Sequence, residues 1–316
     1  MKRILYTALA LLAVSCSEKD NADFIPAYTE GGIDFSQGAK PITDPADDTP
    51  REPAVVGENQ IKIISYNIRT GGADSGTSNA WTTRRVGTPQ MLTVENPTVF
   101  GLQEAQLYQA DYVKSSLEGY DYVGVSRDTG TATGAGERTP IFWKTALVQM
   151  EDWGTFWLSP TPGIPSFGWA EGSSYRRCAT WARFRHIATG KRFFYINTHL
   201  DLVRENRQYG MDLIATKMKE LNPSGYPSFL TGDMNESWPS AVFDPLTGVM
   251  DNLREIAPET DHFGTFNGFK SASSIIDFIF VSGFTPVAYR TVNESWNGIK
   301  FISDHFPIAG LVEFEE

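Results

Sequence analysis

Short apolar runs recur between residues 61 and 314, and they are rich in β-branched and aromatic side chains. Several are almost continuously apolar, which is typical of strands that are covered on both faces. The pattern predicts eight strands, at residues 61–68, 98–104, 140–144, 179–186, 192–200, 227–233, 274–282 and 307–314.

Helical spacing is found between some of these strands. Residues 201–221 place Ile214, Met218 and Leu221 on one face of a helix. Two more amphipathic helices are predicted near residues 83–95 and 106–117. Strands and helices mixed in this order predict a layered α/β domain, with sheets inside and helices outside.

The N-terminal sequence MKRILYTALALLAVSCS has the pattern of an export signal. Lys2 and Arg3 precede an apolar stretch that is too short to span a bilayer. The ending AVSC resembles a bacterial lipobox, which predicts a lipoprotein signal peptide at residues 1–15 and lipidation of Cys16. An ordinary signal peptide, with Cys16 incidental, is the alternative. Ser17 is not the aspartate that usually retains lipoproteins at the inner membrane, so we expect an exported protein anchored at the outer membrane of a Gram-negative bacterium.

An acidic, proline-containing segment follows at residues 16–59 and predicts a tether. The whole chain has a formal net charge of −11, and residues 17–59 contribute ten acidic and three basic side chains to it. The predicted domain, residues 60–316, carries 28 acidic and 22 basic side chains. No broadly basic face is implied, which argues against tight nonspecific binding to duplex nucleic acid.

Cys178 is the one cysteine of the sequence after Cys16, so an internal disulfide cannot form in the mature domain. We expect Cys178 to be a buried, small apolar side chain rather than a nucleophile.

Polar side chains end or interrupt the apolar strands at six places. They are Asn67, Glu104, His199, the pair Asp233 and Asn235, Asp277, and the pair Asp304 and His305. Each has an ordinary explanation by itself: LTGDMNE (230–236) is a good turn sequence, and a single histidine is often a satisfied core residue. A carboxylate in an apolar strand costs several kcal/mol unless it is paired or metal-bound. Six such groups together therefore predict one common site.

The ordered motifs SYNIR, GLQE, GERTPIFW, NTHLD, TGDMNE, IDFIFVS and SDHFP resemble the endonuclease/exonuclease/phosphatase superfamily from about residue 61 to 307. That superfamily includes pancreatic-type deoxyribonuclease, inositol polyphosphate 5-phosphatases and sphingomyelinases. The resemblance implies a four-layer α/β sandwich, in which two mixed β-sheets pack face to face with helices outside. It places the site in loops at one end of the sandwich.

The resemblance also implies metal ligands. Asn67, Glu104 and Asp304 match the positions that hold a divalent metal, and hard oxygen donors suit Mg²⁺ or Mn²⁺. A cation there supplies charge stabilisation to phosphate-ester hydrolysis.

Catalytic roles are implied for six further positions. Asp233 and Asn235 match the pair that handles the attacking water and a phosphate oxygen. Asp277 and His305 match a carboxylate–imidazole dyad. His199 matches a histidine beside the scissile phosphate, and Glu137 matches the acid that orients it.

Substrate contacts are less well defined by the sequence. Arg177 is our candidate phosphate contact, with a surface salt bridge as the equal alternative. The segment TFNGFKSASSIID departs from similar proteins at Asn267. Asp201 next to His199 predicts a raised imidazole pKa. We also expect His186 to be exposed and keep His262 as a residue that could reach the cleft.

The implied function is a metal-dependent phosphoric ester hydrolase acting on a phosphodiester or phosphomonoester, in a nucleic acid, a nucleotide, an inositol phosphate or a lipid headgroup. The membrane is the expected partner through Cys16, and no protein partner is indicated. A retired hydrolase that binds glycans or nucleotides is the alternative, because aromatic residues crowd the loop-like segment 153–170. Retired enzymes usually lose a metal or histidine position, and none is missing here.

Overall fold

The structure is a computed structural model, and it describes residues 52–272 and 274–315. The predicted signal peptide, Cys16 and most of the predicted tether lie outside these residues. Ala54 is nevertheless buried, and its backbone N–H donates to Val94 O at 2.7 Å. Residues 54–59, which the sequence assigns to the tether, thus contact the domain. No helix of residues 52–272 or 274–315 combines the length and apolarity needed to cross a membrane.

Twelve strands within the described residues form two six-stranded sheets. The strands are β1 Gln60–Asn67, β2 Val99–Gln103, β3 Tyr120–Val123, β4 Ile141–Lys144, β5 Val148–Trp157, β6 Cys178–His186, β7 Arg192–His199, β8 Ser228–Asp233, β9 Asp251–Asn252, β10 Asp277–Ser282, β11 Phe284–Thr291 and β12 Ile308–Phe314. The first sheet has the order β11-β12-β1-β2-β4-β3, and the second has the order β5-β6-β7-β8-β10-β9. The pairs β1–β2 and β7–β8 are parallel and the other pairs are antiparallel, so both sheets are mixed.

Helices cover the outer face of each sheet. They are α1 Trp81–Arg84, α2 Gly87–Glu95, α3 Leu107–Ser116, α4 Arg204–Leu221 and a 3₁₀ helix at Ala241–Leu246. The short helix α5 Leu253–Ile256 differs, because its Leu253 is buried in the apolar cluster between the two sheets. Helix α2 ends because Asn96 adopts a left-handed conformation, with φ 50°, and Pro97 follows it. The predicted helix at 83–95 is therefore divided into α1 and α2, while 106–117 and 201–221 are confirmed as α3 and α4.

Three apolar clusters divide the molecule into layers. The first fills the space between the two sheets and includes Ile63 of β1 and Phe229 of β8. The second joins the outer face of the first sheet to α1–α3. The third joins the outer face of the second sheet to α4 and the 3₁₀ helix, where Met211 and Ile214 are buried. The predicted four-layer α/β sandwich with two mixed sheets is confirmed.

A buried amide connects the two sheets near one end of the sandwich. Asn197 of β7 donates to Leu102 O at 2.8 Å and accepts a hydrogen bond from Gln103 Nε2 of β2 at 2.7 Å. Gly101 permits this approach, because a Cβ there would lie 2.4 Å from the Asn197 side chain. The polar contact fixes the position of β7 relative to β2, since an unpaired amide in this core would be costly.

All eight predicted strands are confirmed, with ends that differ by up to three residues. The strands at 120–123, 148–157, 251–252 and 284–291 were not predicted from the sequence. Cys178 is buried as expected. Segment 153–170 begins with the end of β5, where Trp157 is buried and donates from its indole N–H to Arg127 O at 2.7 Å.

Candidate functional site

The candidate site lies where the parallel strands of both sheets end. Asn67 is the last residue of β1, and Glu104 follows the last residue of β2. In the second sheet His199 ends β7 and pairs in register with Asp233, which ends β8. The neighbouring strand β10 begins at Asp277, directly opposite Asp233. Parallel strands bring their carboxyl ends to one edge, so two packed sheets bring these side chains to one end of the sandwich.

An open cleft of about 800 Å³ lies at this end. Eight of the ten predicted metal, catalytic and substrate-binding residues line it: Glu104, Glu137, Arg177, His199, Asp233, Asn235, Asp304 and His305. The other two, Asn67 and Asp277, lie behind it and hydrogen-bond to residues that line it.

Asp233 is at the centre of the hydrogen-bond network. Its Oδ2 accepts from Asn67 Nδ2 at 2.9 Å, and its Oδ1 accepts from the Asn235 backbone N–H at 2.9 Å. Both histidines approach Oδ2, with His199 Nε2 at 3.4 Å and His305 Nε2 at 3.7 Å. Burial raises the pKa of Asp233 to about 7, against the lowering effect of His305. A carboxylate with this pKa is suited to accept a proton near neutral pH.

The two histidines carry different charges because their neighbours differ. Burial disfavours the charged form of His305, but Asp277 and Asp233 raise its pKa to about 10. Its Nδ1 donates to Asp277 Oδ2 at 2.9 Å, which is the predicted dyad geometry. Burial lowers the pKa of His199 well below its ordinary value, and Arg177 and Arg127 lower it further. His305 is therefore cationic at neutral pH, whereas His199 is neutral.

The expectation that Asp201 raises the pKa of His199 is wrong. Asp201 Oδ1 accepts from the Val203 N–H at 2.9 Å, and Oδ2 accepts from Asn206 Nδ2 at 3.3 Å. These bonds hold the carboxylate at the start of α4. The cations near His199, and its burial, determine the direction of the pKa shift.

Two other histidine expectations are corrected by the structure. His186 was expected to be exposed but is 3% exposed, because it faces the core beside Phe314 and its Nδ1 lies 3.0 Å from Thr189 Oγ1. His262 is exposed and is not among the residues that line the cleft.

Of the predicted metal ligands, Glu104 and Asp304 line the cleft, and Asn67 lies behind it. Glu104 Oε2 accepts from the Thr70 N–H at 2.9 Å, and Asn67 Nδ2 lies 3.2 Å from Glu104 Oε1. Burial raises the pKa of Asp304, and the neighbouring charge of Glu104 also raises it. Glu104 and Asp304 are hard carboxylate donors of like charge, and a divalent cation would relieve the repulsion between them. Asp233, Asp277 and His305 also place ligand atoms within 4.8 Å of one another.

Sequence patterns did not identify Arg69, which also lines the cleft. Its Nη1 is 3.2 Å from Asp304 Oδ2, and its Nε is 3.2 Å from Asp74 Oδ2. Arg69, Glu104 and Asn235 all have positive φ, at 57°, 59° and 48°. Non-glycine residues in this region are uncommon and cluster at functional sites. The sequence feature that could have indicated Arg69 is its position two residues after Asn67, at the end of a predicted strand.

Buried residues support the loops that carry the carboxylates. The guanidinium of Arg84 donates to the carbonyl oxygens of Ile68, Arg69 and Ile302. Asn267, where the sequence departs from similar proteins, also supports a loop, because its Nδ2 donates to Ser303 O at 3.2 Å. Asn267 is 2% exposed and is not among the residues that line the cleft.

Glu137 forms a different contact from the one that the sequence predicts. Its Oε2 lies 2.6 Å from Arg127 Nη1, and no hydrogen bond joins it to His199 among the described residues. The His199 Nδ1 atom has no partner in the described part of the chain. Arg127 lines the cleft and was not predicted, since it does not end an apolar strand.

A sequence profile of the Endonuclease/Exonuclease/phosphatase family matches residues 64–305. The chain belongs to this family. Members of the family hydrolyse phosphoesters and are generally dependent on divalent metals, so this chain is a phosphoesterase-type hydrolase by family.

Solved structures of similar proteins agree with the family assignment. A family protein from Bacteroides thetaiotaomicron is 33% identical, with a TM-score of 0.75 and coverage of 81% of this chain and 98% of that one. The mannosyl-6-phosphatase of Bacteroides thetaiotaomicron VPI-5482 is 34% identical, with a TM-score of 0.74 and coverage of 80% and 100%. The endonuclease/exonuclease/phosphatase from Bacteroides vulgatus is 30% identical, with a TM-score of 0.74 and coverage of 81% and 99%.

Proposed function

We propose that the protein is a divalent-metal-dependent phosphoesterase, which hydrolyses a phosphodiester or phosphomonoester by in-line attack of water. The observation that carries the proposal is the position of Asp233. This buried carboxylate has a pKa near neutrality and lies among Asn67, His199 and His305 in the cleft.

In the proposed reaction, Asp233 removes a proton from a water molecule as its oxygen attacks phosphorus. The bond from phosphorus to the leaving oxygen breaks on the opposite side, and the leaving oxygen takes up a proton from solvent water to form the alcohol. The imidazolium of His305, kept charged by Asp277, stabilises the negative charge of the phosphoryl group. In this reaction Asn235 binds a phosphate oxygen or orients His199, and the second role is supported by the distance of 3.0 Å between Asn235 Nδ2 and His199 Nε2.

Glu104, Asp304 and Asn67 would hold the divalent cation, Mg²⁺ or Mn²⁺. For Asn67 the oxygen of the amide must face the ion, whereas in the structure the amide nitrogen faces Glu104 and Asp233. The two orientations differ by a rotation of the amide. When bound, the cation supplies Lewis-acid stabilisation of phosphoryl charge.

A substrate panel tests the proposal, using plasmid DNA, RNA, nucleotides, inositol phosphates, glycerophosphodiesters and sugar phosphates with Mg²⁺ and with EDTA. Asp233→Asn and His305→Ala should each lower the rate by on the order of 10²–10⁴. Asp251→Asn is the matched control, because Asp251 is an exposed acid of strand β9. EDTA-resistant hydrolysis, or full activity in both site variants, would contradict the mechanism.

We also propose that lipid on Cys16 anchors the enzyme to the outer membrane, where it acts on phosphate esters at the cell surface. The support is the lipobox-like sequence AVSC after an apolar stretch. Metabolic labelling with palmitate should modify the wild type and not Cys16→Ser. Equal labelling, or equal release of both proteins into the medium, would contradict the anchor.

A further inference from the structure

Two arginines line the cleft together with the proposed catalytic residues. Arg127 and Arg177 are 7% and 5% exposed, and the Nε atom of each has no hydrogen-bond partner within the described residues. Buried guanidinium groups normally use their donors, because an unmade hydrogen bond from a buried charge is costly. Burial lowers the pKa of Arg177, and the neighbouring charge of Arg127 lowers it further. The pair thus carries positive charge that its protein partners only partly compensate.

The surroundings of the two arginines hold them in place. The guanidinium groups of Arg127 and Arg177 lie 5.1 Å and 5.4 Å from the ring centre of Tyr175. Glu137 fixes Arg127 through the contact of 2.6 Å. Ordered guanidinium groups lose little conformational entropy when they bind an anion.

The arginines are next to His199. A small pocket that adjoins the cleft is lined by Arg127, Glu137, Arg177 and His199, and also by Glu104. The Nδ1 atom of His199 is without a partner among the described residues, like the two Nε atoms. Three unsatisfied buried nitrogen atoms therefore belong to residues that border one small space beside Glu104.

We propose that Arg127 and Arg177 form an anion subsite for the non-bridging oxygens of a terminal phosphate, and that this subsite makes the enzyme selective for phosphomonoesters over phosphodiesters. The inference rests on the proposed function. A terminal phosphate has three non-bridging oxygens and nearly two negative charges at pH 8. In a diester, a second organic substituent replaces one of these oxygens and removes one charge.

The size and charge of the cleft fit a small substrate of this kind. A volume of about 800 Å³ is within the range of small-molecule sites. Residues 60–316 contain 28 acidic and 22 basic side chains. This balance does not favour binding of a long polyanion. Guanidinium groups bind phosphate through paired charge-assisted hydrogen bonds, so two of them favour a dianion.

The test compares p-nitrophenyl phosphate with bis(p-nitrophenyl) phosphate in the Mg²⁺-loaded enzyme. The wild type should prefer the monoester. Arg127→Gln and Arg177→Gln should each lower kcat/KM for the monoester by on the order of tenfold to a hundredfold, as expected for a lost charged hydrogen bond. For the diester the loss should be about threefold or less, because an organic substituent replaces one of the oxygens that these side chains bind and removes one negative charge.

Arg176→Gln is the matched control. Arg176 is a neighbouring arginine whose guanidinium lies over Phe167, 4.4 Å from the ring centre, and it is not among the residues that line the cleft. Arg176→Gln should leave kcat/KM unchanged for both the monoester and the diester. If Arg177→Gln fails to fold, Arg127→Gln decides the outcome.

Calorimetric binding of inorganic phosphate at pH 8 separates the subsite from the reaction. The wild type and Arg176→Gln should bind phosphate. Arg127→Gln and Arg177→Gln should bind it at least tenfold more weakly, because each variant loses a charged hydrogen bond to the anion. Arginine-dependent phosphate binding without hydrolysis of either ester would overturn the proposed function and keep the subsite. Hydrolysis with equal losses for both esters, or phosphate binding that is unchanged in the variants, would overturn the subsite and keep the proposed function.

Discussion

His305 Nδ1 donates to Asp277 Oδ2 at 2.9 Å, across a sequence separation of 28 residues. The acid begins strand β10, and the histidine lies in the loop before β12. The negative charge of Asp277 at this distance in a buried site favours the protonated imidazole, and with Asp233 it raises the pKa of His305 to about 10.

Replacing Asp277 with asparagine should lower the pKa of His305 and reduce the hydrolysis rate by on the order of 10²–10⁴. The variant should also lose activity as the pH rises through the lowered pKa, whereas the wild-type histidine stays charged through pH 8. NMR titration of the imidazole C–H signals measures both proteins, with exposed His262 as the internal control. An unchanged His305 pKa would contradict the role of the dyad.

Arg69 should compete with the metal, because its guanidinium contacts Asp304 at 3.2 Å. We expect Arg69→Ala to bind Mn²⁺ about twofold to tenfold more tightly, since removing a nearby positive charge is worth roughly 1 kcal/mol at a partly solvated site. Electron paramagnetic resonance of free Mn²⁺ measures the affinity independently of activity. Exposed Arg85, which lies over Tyr112, provides the control variant Arg85→Ala. Weaker Mn²⁺ binding by Arg69→Ala would show that Arg69 supports the ligands instead.

Gly232 should tolerate no side chain. A Cβ at this position would lie 2.2 Å from Thr198 O on the neighbouring strand β7. Gly232→Ala must therefore separate β7 from β8, and should lower the free energy of unfolding by about 1–3 kcal/mol. It should also reduce activity, because Asp233 is the next residue. Urea denaturation measures the first effect. Gly163→Ala is the control, since the added methyl group would have no neighbouring side chain or strand within 4 Å among the described residues. Equal stability of the two variants would contradict the predicted clash.

His186 should destabilise the protein in acid. Burial lowers its pKa below the ordinary value of 6.5, so the unfolded chain binds the proton more tightly than the folded one. The associated stability is present above pH 6.5 and is lost as the pH falls toward the folded-state pKa. We expect urea midpoints of the wild type to fall more steeply between pH 7.5 and 5 than those of His186→Gln. Parallel pH profiles would contradict this linkage.

The candidate site was largely predictable from the sequence because strand ends are visible in it. Asn67, Glu104, His199 and Asp233 each follow an apolar run directly, and parallel pairing brings such ends together. The sequence did not identify Arg127, which lies in a loop and contacts Glu137 and Tyr175 only through the tertiary fold.

Edge strands were the main omission in the fold. Strand β5 forms one edge of the second sheet, and its sequence VQMEDWGTFW contains exposed polar residues. Apolar runs mark strands that are buried on both faces, so partly solvated strands such as β5 lack the signal. His186 was assigned to the surface for a similar reason: a polar side chain at a strand end gives no indication of the Phe314 ring that covers it.

The contact between Asn197 and Gln103 limits how this enzyme can be recombined with its relatives. A chimera that takes β2 from one parent and β7 from another can lose the hydrogen bond between the side chains at positions 103 and 197. Such a hybrid would keep its apolar layers and still misplace Asn67 relative to Asp233. Gene shuffling should therefore yield active progeny mainly when Gly101, Gln103 and Asn197 come from the same parent.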